Sequence, residues 1–338
     1  MLIIMKKEAT EEELQALISK IHQTGAAEGF VSRGQFHTVI GVVGDPEKVA
    51  ELPLLAMPGV ERVQRVSRPF KMVSAEGHER ASTVPVDGVS LGPDSFTIIA
   101  GPCAVENEEQ TLESARAAKK AGAHMLRGGA YKPRTSPYSF QGLAEEGLRI
   151  LGVARKETGL PIVTEVLDSR DVEKVAEVAD MLQIGTRNMQ NFSLLKEVGL
   201  TGKPIMLKRG MNSTIEEWLM AAEHIARHGN LRIVLCERGI RTFETATRNT
   251  LDISAIPVVR EESHLPVIVD PSHAAGRKSL IVPLARAAVA VGADGVMVDV
   301  HPTPETALTD GPQALVPEEL YALTREIREL AVQMGRAV

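Results

Sequence analysis

The sequence predicts an α/β protein, a (β/α)8 TIM barrel preceded by a small βαββαβ ferredoxin-like unit. From residue 96 onward, short and almost continuously apolar strands alternate with helical segments eight times in about 240 residues, as strands buried on both faces of a parallel sheet do. Each of those strands runs into polar residues at its C-terminal end, where a barrel keeps its chemistry. Before residue 70 the pattern is different and shorter, and it sets off a separate front unit.

The front unit reads in order. Leu2 to Met5 is a strand, and Thr10 with Glu13 three residues on is a capping box. The helix behind it runs to about Gln23 with Leu14, Leu17, Ile18 and Ile21 on one stripe. Strands follow at 27–32 and 37–43 around a turn at Arg33-Gly34, and Asp45-Pro46 opens a second helix. Residues 60–66 alternate as a last strand, which completes the ferredoxin-like order. Residues 1–70 hold no catalytic constellation and read as an accessory or regulatory domain. Residues 71–95 form a linker in which Val86-Asp87-Gly88-Val89 predicts a tight hairpin.

The barrel spans 96–338, with strands at 96–100, 124–126, 161–166, 181–184, 204–207, 232–236, 266–269 and 295–300. Asn107 with Gln110, and Ser213 with Glu216, mark helix starts. The alternative, a doubly wound open sheet, lacks a Gly-x-Gly-x-x-Gly after its first strand.

Composition narrows the function. The chain is 43% apolar, its net charge is -6, and aromatics are only 3%. That balance argues against nucleic acid as a partner, so the cations must be judged by where they cluster. Cys103 and Cys236 are the only cysteines, too few and too far apart for a disulfide framework, which suggests a reducing compartment. The apolar run at Met1–Met5 is too short for a signal peptide and no run is long enough to span a membrane, so the expectation is cytoplasmic.

Two chemically distinct sets stand at the strand ends. Arg127, Lys132, Arg187, Lys208 and Arg238 would surround one pocket with positive charge, which is costly without an anion such as a substrate carrying phosphate and carboxylate. Singly, each reads as an ion-pair partner. The loop 127–142, with Lys132-Pro133-Arg134-Thr135-Ser136, suits an anionic substrate but could also be a basic surface turn. The second set is Cys103, His273, Asp299 and Asp310, whose thiolate, imidazole and carboxylates suit a divalent manganese, iron, cobalt or zinc ion. Taken alone, Cys103 reads as a small buried residue and His273 as a polar rim residue; Cys236, inside strand six, reads as core.

Gly101-Pro102-Cys103, Arg127-Gly128-Gly129-Ala130, Lys132-Pro133-Arg134-Thr135, Lys208-Arg209-Gly210, Cys236-Glu237-Arg238-Gly239 and Asp270-Pro271-Ser272-His273 together resemble 3-deoxy-D-arabino-heptulosonate 7-phosphate synthase. The front unit is similar to that of the type I beta class. The resemblance implies condensation of phosphoenolpyruvate with erythrose 4-phosphate, the entry to the shikimate pathway. It implies phosphoenolpyruvate among Arg127, Lys132, Arg187, Lys208 and Arg238, with Glu165 also in the substrate-binding set. The aldose phosphate would lie near Arg134, Thr135 and Ser136, and the metal ligands would be Cys103, His273, Asp299 and Asp310, with manganese first among the candidates. Lys132, Cys103 and His273 are the implied catalytic residues, Lys132 as proton donor. Two departures stand out: Asp299 where the family usually has glutamate, and Ala104 where serine is common.

The related 3-deoxy-D-manno-octulosonate 8-phosphate synthase typically reads Lys-Ala-Asn-Arg-Ser-Ser in the loop after strand two, unlike Lys132-Pro133-Arg134-Thr135-Ser136 here. A non-catalytic, metabolite-sensing barrel is a further alternative. The resemblance of the front unit to that of similar enzymes implies feedback inhibition by tyrosine or phenylalanine within a homotetramer.

Overall fold

In the computed structural model, which describes residues 1–33, 38–64, 68–76, 78 and 80–338, the chain opens on β1 (Leu2–Met5), a fully buried strand. α1 (Glu11–Gln23) starts where Thr10 Oγ1 accepts the Glu13 amide and the Glu13 carboxylate accepts the Thr10 amide. β2 (Ala27–Arg33), β3 (Thr38–Gly44), the short helix α2 (Pro46–Ala50) and β4 (Val60–Gln64) complete an antiparallel sheet of order β2-β3-β1-β4. Leu14, Leu17 and Ile21 of α1 share a buried cluster with Ile3, Met5, Ile40 and Val60 of that sheet. Gly34 of the expected turn, His37 at the expected start of a strand, and residues 65–66 at the expected end of another lie outside the described residues.

β5 (Val84–Val86) and β6 (Val89–Leu91) form the expected hairpin, with Asp87 at φ 41° and Gly88 at φ 84° as a type I′ turn requires. Eight parallel strands then close a barrel, each followed by helix. They are β7 (Thr97–Gly101), α3 (Glu108–Lys120), β8 (Met125–Arg127), α4 (Glu145–Thr158), β9 (Ile162–Glu165), α5 (Val172–Val178), β10 (Met181–Ile184) and α6 (Phe192–Leu200). The second half holds β11 (Ile205–Lys208), α7 (Ile215–Ala226), β12 (Ile233–Glu237), α8 (Ala255–Glu262), β13 (Val267–Val269), α9 (Pro271–Ala275), α10 (Ile281–Ala290), β14 (Gly295–Asp299) and α11 (Pro317–Gln333). β7 pairs with both β8 and β14, which closes the ring.

Asn107 caps α3 as expected, accepting the Gln110 amide at 2.8 Å. The cap expected at Ser213 and Glu216 falls one residue later, on Thr214 and Glu217. Both spacings satisfy the local pattern. The later frame is the one in which α7 buries Trp218, Leu219 and Ala222, while Ser213 closes a turn onto Gly210.

Alternation along the strands sorts side chains to two sides. Ile98, Leu126, Ile162, Leu182, Leu207 and Leu235 face the surrounding helices in the main core. Ile99, Met125, Val163, Met181, Met206, Val234, Ile268 and Met297 form a separate interior cluster, with Cys236 among them as expected. Val84, Val86 and Leu91 of the hairpin belong to that interior cluster. Polar residues occupy the C-terminal mouth, so the hairpin must close the N-terminal one. The front sheet packs on the outside of the barrel, where Leu2, Ile4, Val39, Phe70, Met72 and Val73 join the main core. Glu223 of α7 fastens the connection by accepting the Met72 and Val73 amides at 2.9 and 3.1 Å.

Candidate active site

The inward period of two continues past the apolar layer. One step beyond Met125, Val163, Met181, Met206, Ile268 and Met297 stand Arg127, Glu165, Gln183, Lys208, Asp270 and Asp299, all buried. Arg238 stands in the same relation to Cys236. Two glycines let this polar layer close up. A Cβ on Gly101 would lie 1.9 Å from the Arg127 carbonyl, and one on Gly185 would lie 1.8 Å from Glu165 Oε1.

Cys103 follows the Gly101 turn and meets residues that follow β13 and β14, the next strands round the ring. Its Sγ lies 3.1 Å from Asp310 Oδ2 and 3.8 Å from His273 Nε2, and His273 Nε2 is 3.7 Å from Asp310 Oδ2. Cys103, His273 and Asp299 also each offer a donor atom within 4.8 Å of the others. Burial pushes the Cys103 thiol up, but Lys132, His273 and Arg127 together outweigh it and leave the thiol below its usual range. Lys132 Nζ lies 3.1 Å from that sulfur and donates to the Cys103 carbonyl at 3.0 Å.

His273 Nδ1 turns the other way, 2.9 Å from Asp270 Oδ2 and 3.6 Å from Asp299 Oδ2. The Asp270 contact has an ion-pair distance without the alignment of a hydrogen bond, since Nδ1 has no hydrogen-bond partner in the described residues. Burial works against a charged imidazole, but Asp270 and Asp299 hold His273 up to about 9. Burial likewise opposes ionisation of Asp310 and Asp270, and His273 is the first group to overcome it in both, with Arg248 helping at Asp310 and Lys208 at Asp270. A thiol easily made thiolate, an imidazole oriented by a carboxylate, and acids crowded enough to require a cation fit a divalent metal.

Beside these donors opens a cleft of about 310 Å³, lined by Arg127, Lys132, Arg134, Arg187, Lys208, Arg238 and Arg248 with only Glu165 and Asp310 as acids. Arg127 pairs with Asp299, Lys208 with Asp270, and Arg248 with Asp310. Among the described residues Lys132, Arg134, Arg187 and Arg238 have no carboxylate partner in an ion pair, and Arg127 Nε is buried without a partner. Burial lowers the basicity of Arg238, whose guanidinium donates to the Gly239 carbonyl at 3.2 Å. For the buried Lys132 and Arg238 an anion is the missing counter-charge, while Arg134 is half-buried and Arg187 exposed at the cleft edge.

The loop after β8 is pinned at its base, where the Lys132 amide donates to Gln141 O at 2.9 Å and Tyr131 bridges Gly142. Thr135 and Ser136 are exposed toward the cleft mouth, and Arg187 reaches Thr135 Oγ1 at 3.3 Å. The site residues read from the sequence thus gather at one mouth. Arg209, adjacent to Lys208, points away and pairs with Glu237 and Asp252.

Sequence reasoning assigned no role to Asp270, Gln183, Arg248 or Gln313. Asp270 holds both Lys208 and His273, and Gln313 donates to Asp299 Oδ2 at 2.7 Å while accepting from Arg248 at 2.9 Å. A signal for the first two was present, since Met181-Leu182-Gln183 and Ile268-Val269-Asp270 repeat the spacing of Met206-Leu207-Lys208. Arg248 comes from a bend and Gln313 from the single 3-10 turn Gly311–Gln313, and neither carries such a signal.

Residues 72–336 match the DAHP synthetase I family, and residues 1–68 match the DAHP synthase ferredoxin-like domain. The chain is 51% identical over 335 residues to phospho-2-dehydro-3-deoxyheptonate aldolase of Thermotoga maritima, covering 99% of each chain. A crystal structure of that Thermotoga protein aligns with a TM-score of 0.79 at 49% identity, covering 100% of this chain and 98% of the other. A shorter match, 35% identical over 264 residues, joins 72% of this chain to 94% of 2-dehydro-3-deoxyphosphooctonate aldolase from Syntrophotalea carbinolica.

Proposed function

The chain belongs to the DAHP synthetase I family, and from that premise we propose that it condenses phosphoenolpyruvate with erythrose 4-phosphate and water in the cleft at the C-terminal mouth. Its activity is that of a 3-deoxy-7-phosphoheptulonate synthase, the DAHP-forming first step of the shikimate pathway. The observation that carries the substrate reading is the set of cations in the cleft that lack carboxylate partners. Phosphoenolpyruvate brings a phosphate and a carboxylate, and Arg127, Lys132, Lys208 and Arg238 would hold them, with Arg187 at the outer edge. Arg134, Thr135 and Ser136 would take the phosphate of erythrose 4-phosphate, and Glu165, steadied by Gln183 at 3.3 Å, would face the reacting carbons.

In this reading C3 of phosphoenolpyruvate bonds to the aldehyde carbon and water adds at C2. The bond from C2 to the phosphate oxygen then breaks, releasing inorganic phosphate and leaving a ketone. Lys132 Nζ would give a proton to the aldehyde oxygen as it becomes a hydroxyl. Fixing two anions side by side supplies much of the rate. A divalent ion, manganese first, would sit among Cys103, His273, Asp299 and Asp310, and when bound supplies Lewis-acid polarisation of a carbonyl oxygen. Cys103 and His273 are then catalytic residues through that ion.

Residues 1–70 are proposed as a regulatory domain, joined by the linker 71–95 to the barrel 96–338, that binds tyrosine or phenylalanine in a cytoplasmic homotetramer. No helix among the described residues is long and apolar enough to cross a membrane. Removing residues 1–70 is expected to leave condensation and abolish inhibition; a full-length enzyme indifferent to aromatic amino acids would refute the regulatory part.

Phosphate release tests the reaction. The purified chain is expected to release phosphate only when both substrates and Mn²⁺ are present, to stop on chelation, and to restart on readdition. Faster release with arabinose 5-phosphate than with erythrose 4-phosphate would overturn the substrate assignment, and no release with either would overturn the reaction.

A further inference from the structure

The three residues read as metal ligands beside His273 do not approach it from one side. Donors on one face of a metal lie roughly 3–3.8 Å apart when bonds are about 2.0–2.3 Å. Cys103 Sγ, His273 Nε2 and Asp310 Oδ2 meet that condition, with edges of 3.1, 3.7 and 3.8 Å. Asp299 does not join this triangle on the same nitrogen. Its Oδ2 faces His273 Nδ1 at 3.6 Å, beside Asp270 Oδ2 at 2.9 Å. The two ring nitrogens point apart, and the one that binds metal is set by what the other contacts.

The two acids are also anchored differently. Asp310 gives one oxygen, Oδ1, to Arg248 at 2.9 Å and turns the other toward Cys103 and His273. Asp299 gives Oδ1 to Arg127 and Oδ2 to Gln313 Nε2 at 2.7 Å, so both oxygens are engaged by protein donors. Gln313 in turn accepts from Arg248 at 2.9 Å. A continuous chain therefore runs from Arg127 through Asp299, Gln313 and Arg248 to Asp310.

We propose that the metal is held directly by Cys103, His273 Nε2 and Asp310, and that Asp299 is a positioning residue outside the coordination sphere. Asp299 fixes Arg127 in the anion cleft and, through Gln313 and Arg248, the carboxylate of Asp310. The position that a longer acid would fill is left to water or substrate. This rests on the reading that a divalent metal binds here, and it specifies how this chain's shorter acid takes part.

The test counts exchangeable water on Mn²⁺ bound to the full-length enzyme, by pulsed electron paramagnetic resonance in isotopically labelled water. Wild type and Asp299→Asn are expected to show the same count, Asp310→Ala one more, and Asp299→Glu one fewer because the added methylene reaches the metal. Asp299→Asn is also expected to raise KM for phosphoenolpyruvate about tenfold, more than it lowers kcat, as loss of an orienting partner does. One additional water in Asp299→Asn makes Asp299 a direct ligand and overturns the proposal. Should that variant fail to fold, an unchanged count in Asp299→Glu overturns it equally. If wild type does not bind Mn²⁺, or binds it as well after Cys103→Ala, the metal reading itself fails instead.

Discussion

The interior of the barrel has a floor and a mouth made by the same strands. In the floor, Met125, Val163, Met181, Met206, Ile268 and Met297 pack against Val84, Val86 and Leu91 of the hairpin. One inward step along, the mouth holds Arg127, Glu165, Gln183, Lys208, Asp270 and Asp299, equally hidden from water. The floor gains from burial, since removing apolar surface from water is favourable. The mouth is buried against that tendency, because desolvating charge is costly unless it is paired. Pairing is complete on the side of Asp270, Asp299 and Asp310 and deficient around Lys132, Arg134, Arg187 and Arg238. Equal burial therefore serves stability at one end and ligand binding at the other.

Substitutions can break this contrast from either end. Asp270→Asn should have the largest effect, because it strands buried Lys208 and frees His273. It is expected to cost about 3–5 kcal/mol in chemical denaturation. It should also weaken Mn²⁺ affinity by about 10–100-fold in a chelator competition. Lys132→Met is expected to lower kcat by about 10³-fold in the phosphate-release assay. Its melting temperature should hardly move, because Lys132 has no carboxylate partner to abandon.

In the floor the pattern should invert. Met206→Ala is expected to cost about 2–5 kcal/mol of stability by leaving a cavity, with kcat/KM close to wild type. Arg238→Met sharpens the difference further. Replacing a buried charge that lacks a partner by an apolar side chain should leave stability unchanged or raise it by about 1–2 kcal/mol, while thermal stabilisation by inorganic phosphate is lost. A marked fall in stability would mean that Arg238 serves the fold rather than the ligand.

The effect that vanishes at neutral pH lies outside both layers, at the buried His264, which fastens the linker to the barrel. Its Nε2 donates to the Met72 carbonyl at 2.9 Å, its Nδ1 accepts from Ser82 Oγ at 2.7 Å, and His78 stacks on it at 3.7 Å. Burial, helped by His78, pulls its pKa down to about 3. The unfolded chain, with a histidine pKa of about 6.5, then binds more protons than the folded one between those values. Stability is untouched above pH 6.5 and falls as pH drops from 6.5 toward 3. Thermal melts across that range should show a shallower slope for His264→Gln.

Much of this was legible in residue order. The repeating strand and helix pattern announced the barrel, and the hairpin turn at Asp87-Gly88 announced itself by its conformational demand. Local patterns failed where two frames fitted equally, as at Ser213 and Thr214, and the burial of Trp218 chose between them. The strand spacing places Asp270 at the mouth but does not say what it does there, because its work is done on partners at positions 208 and 273. Gln313 was invisible because nothing around it in sequence relates it to Asp299 or Arg248.

The sequence by itself determined the architecture, the mouth at which the chemistry gathers, and the kinds of group assembled there. Periodicity and turn chemistry act over a few residues, and strand direction is enough to say which end each polar residue reaches. Only the tertiary structure decided which cations lack acids and which nitrogen of His273 each carboxylate faces. Those relations join residues 170 positions apart in the case of Cys103 and His273, and 207 in the case of Cys103 and Asp310. Over such separations the barrel's closure, not local spacing, sets every distance.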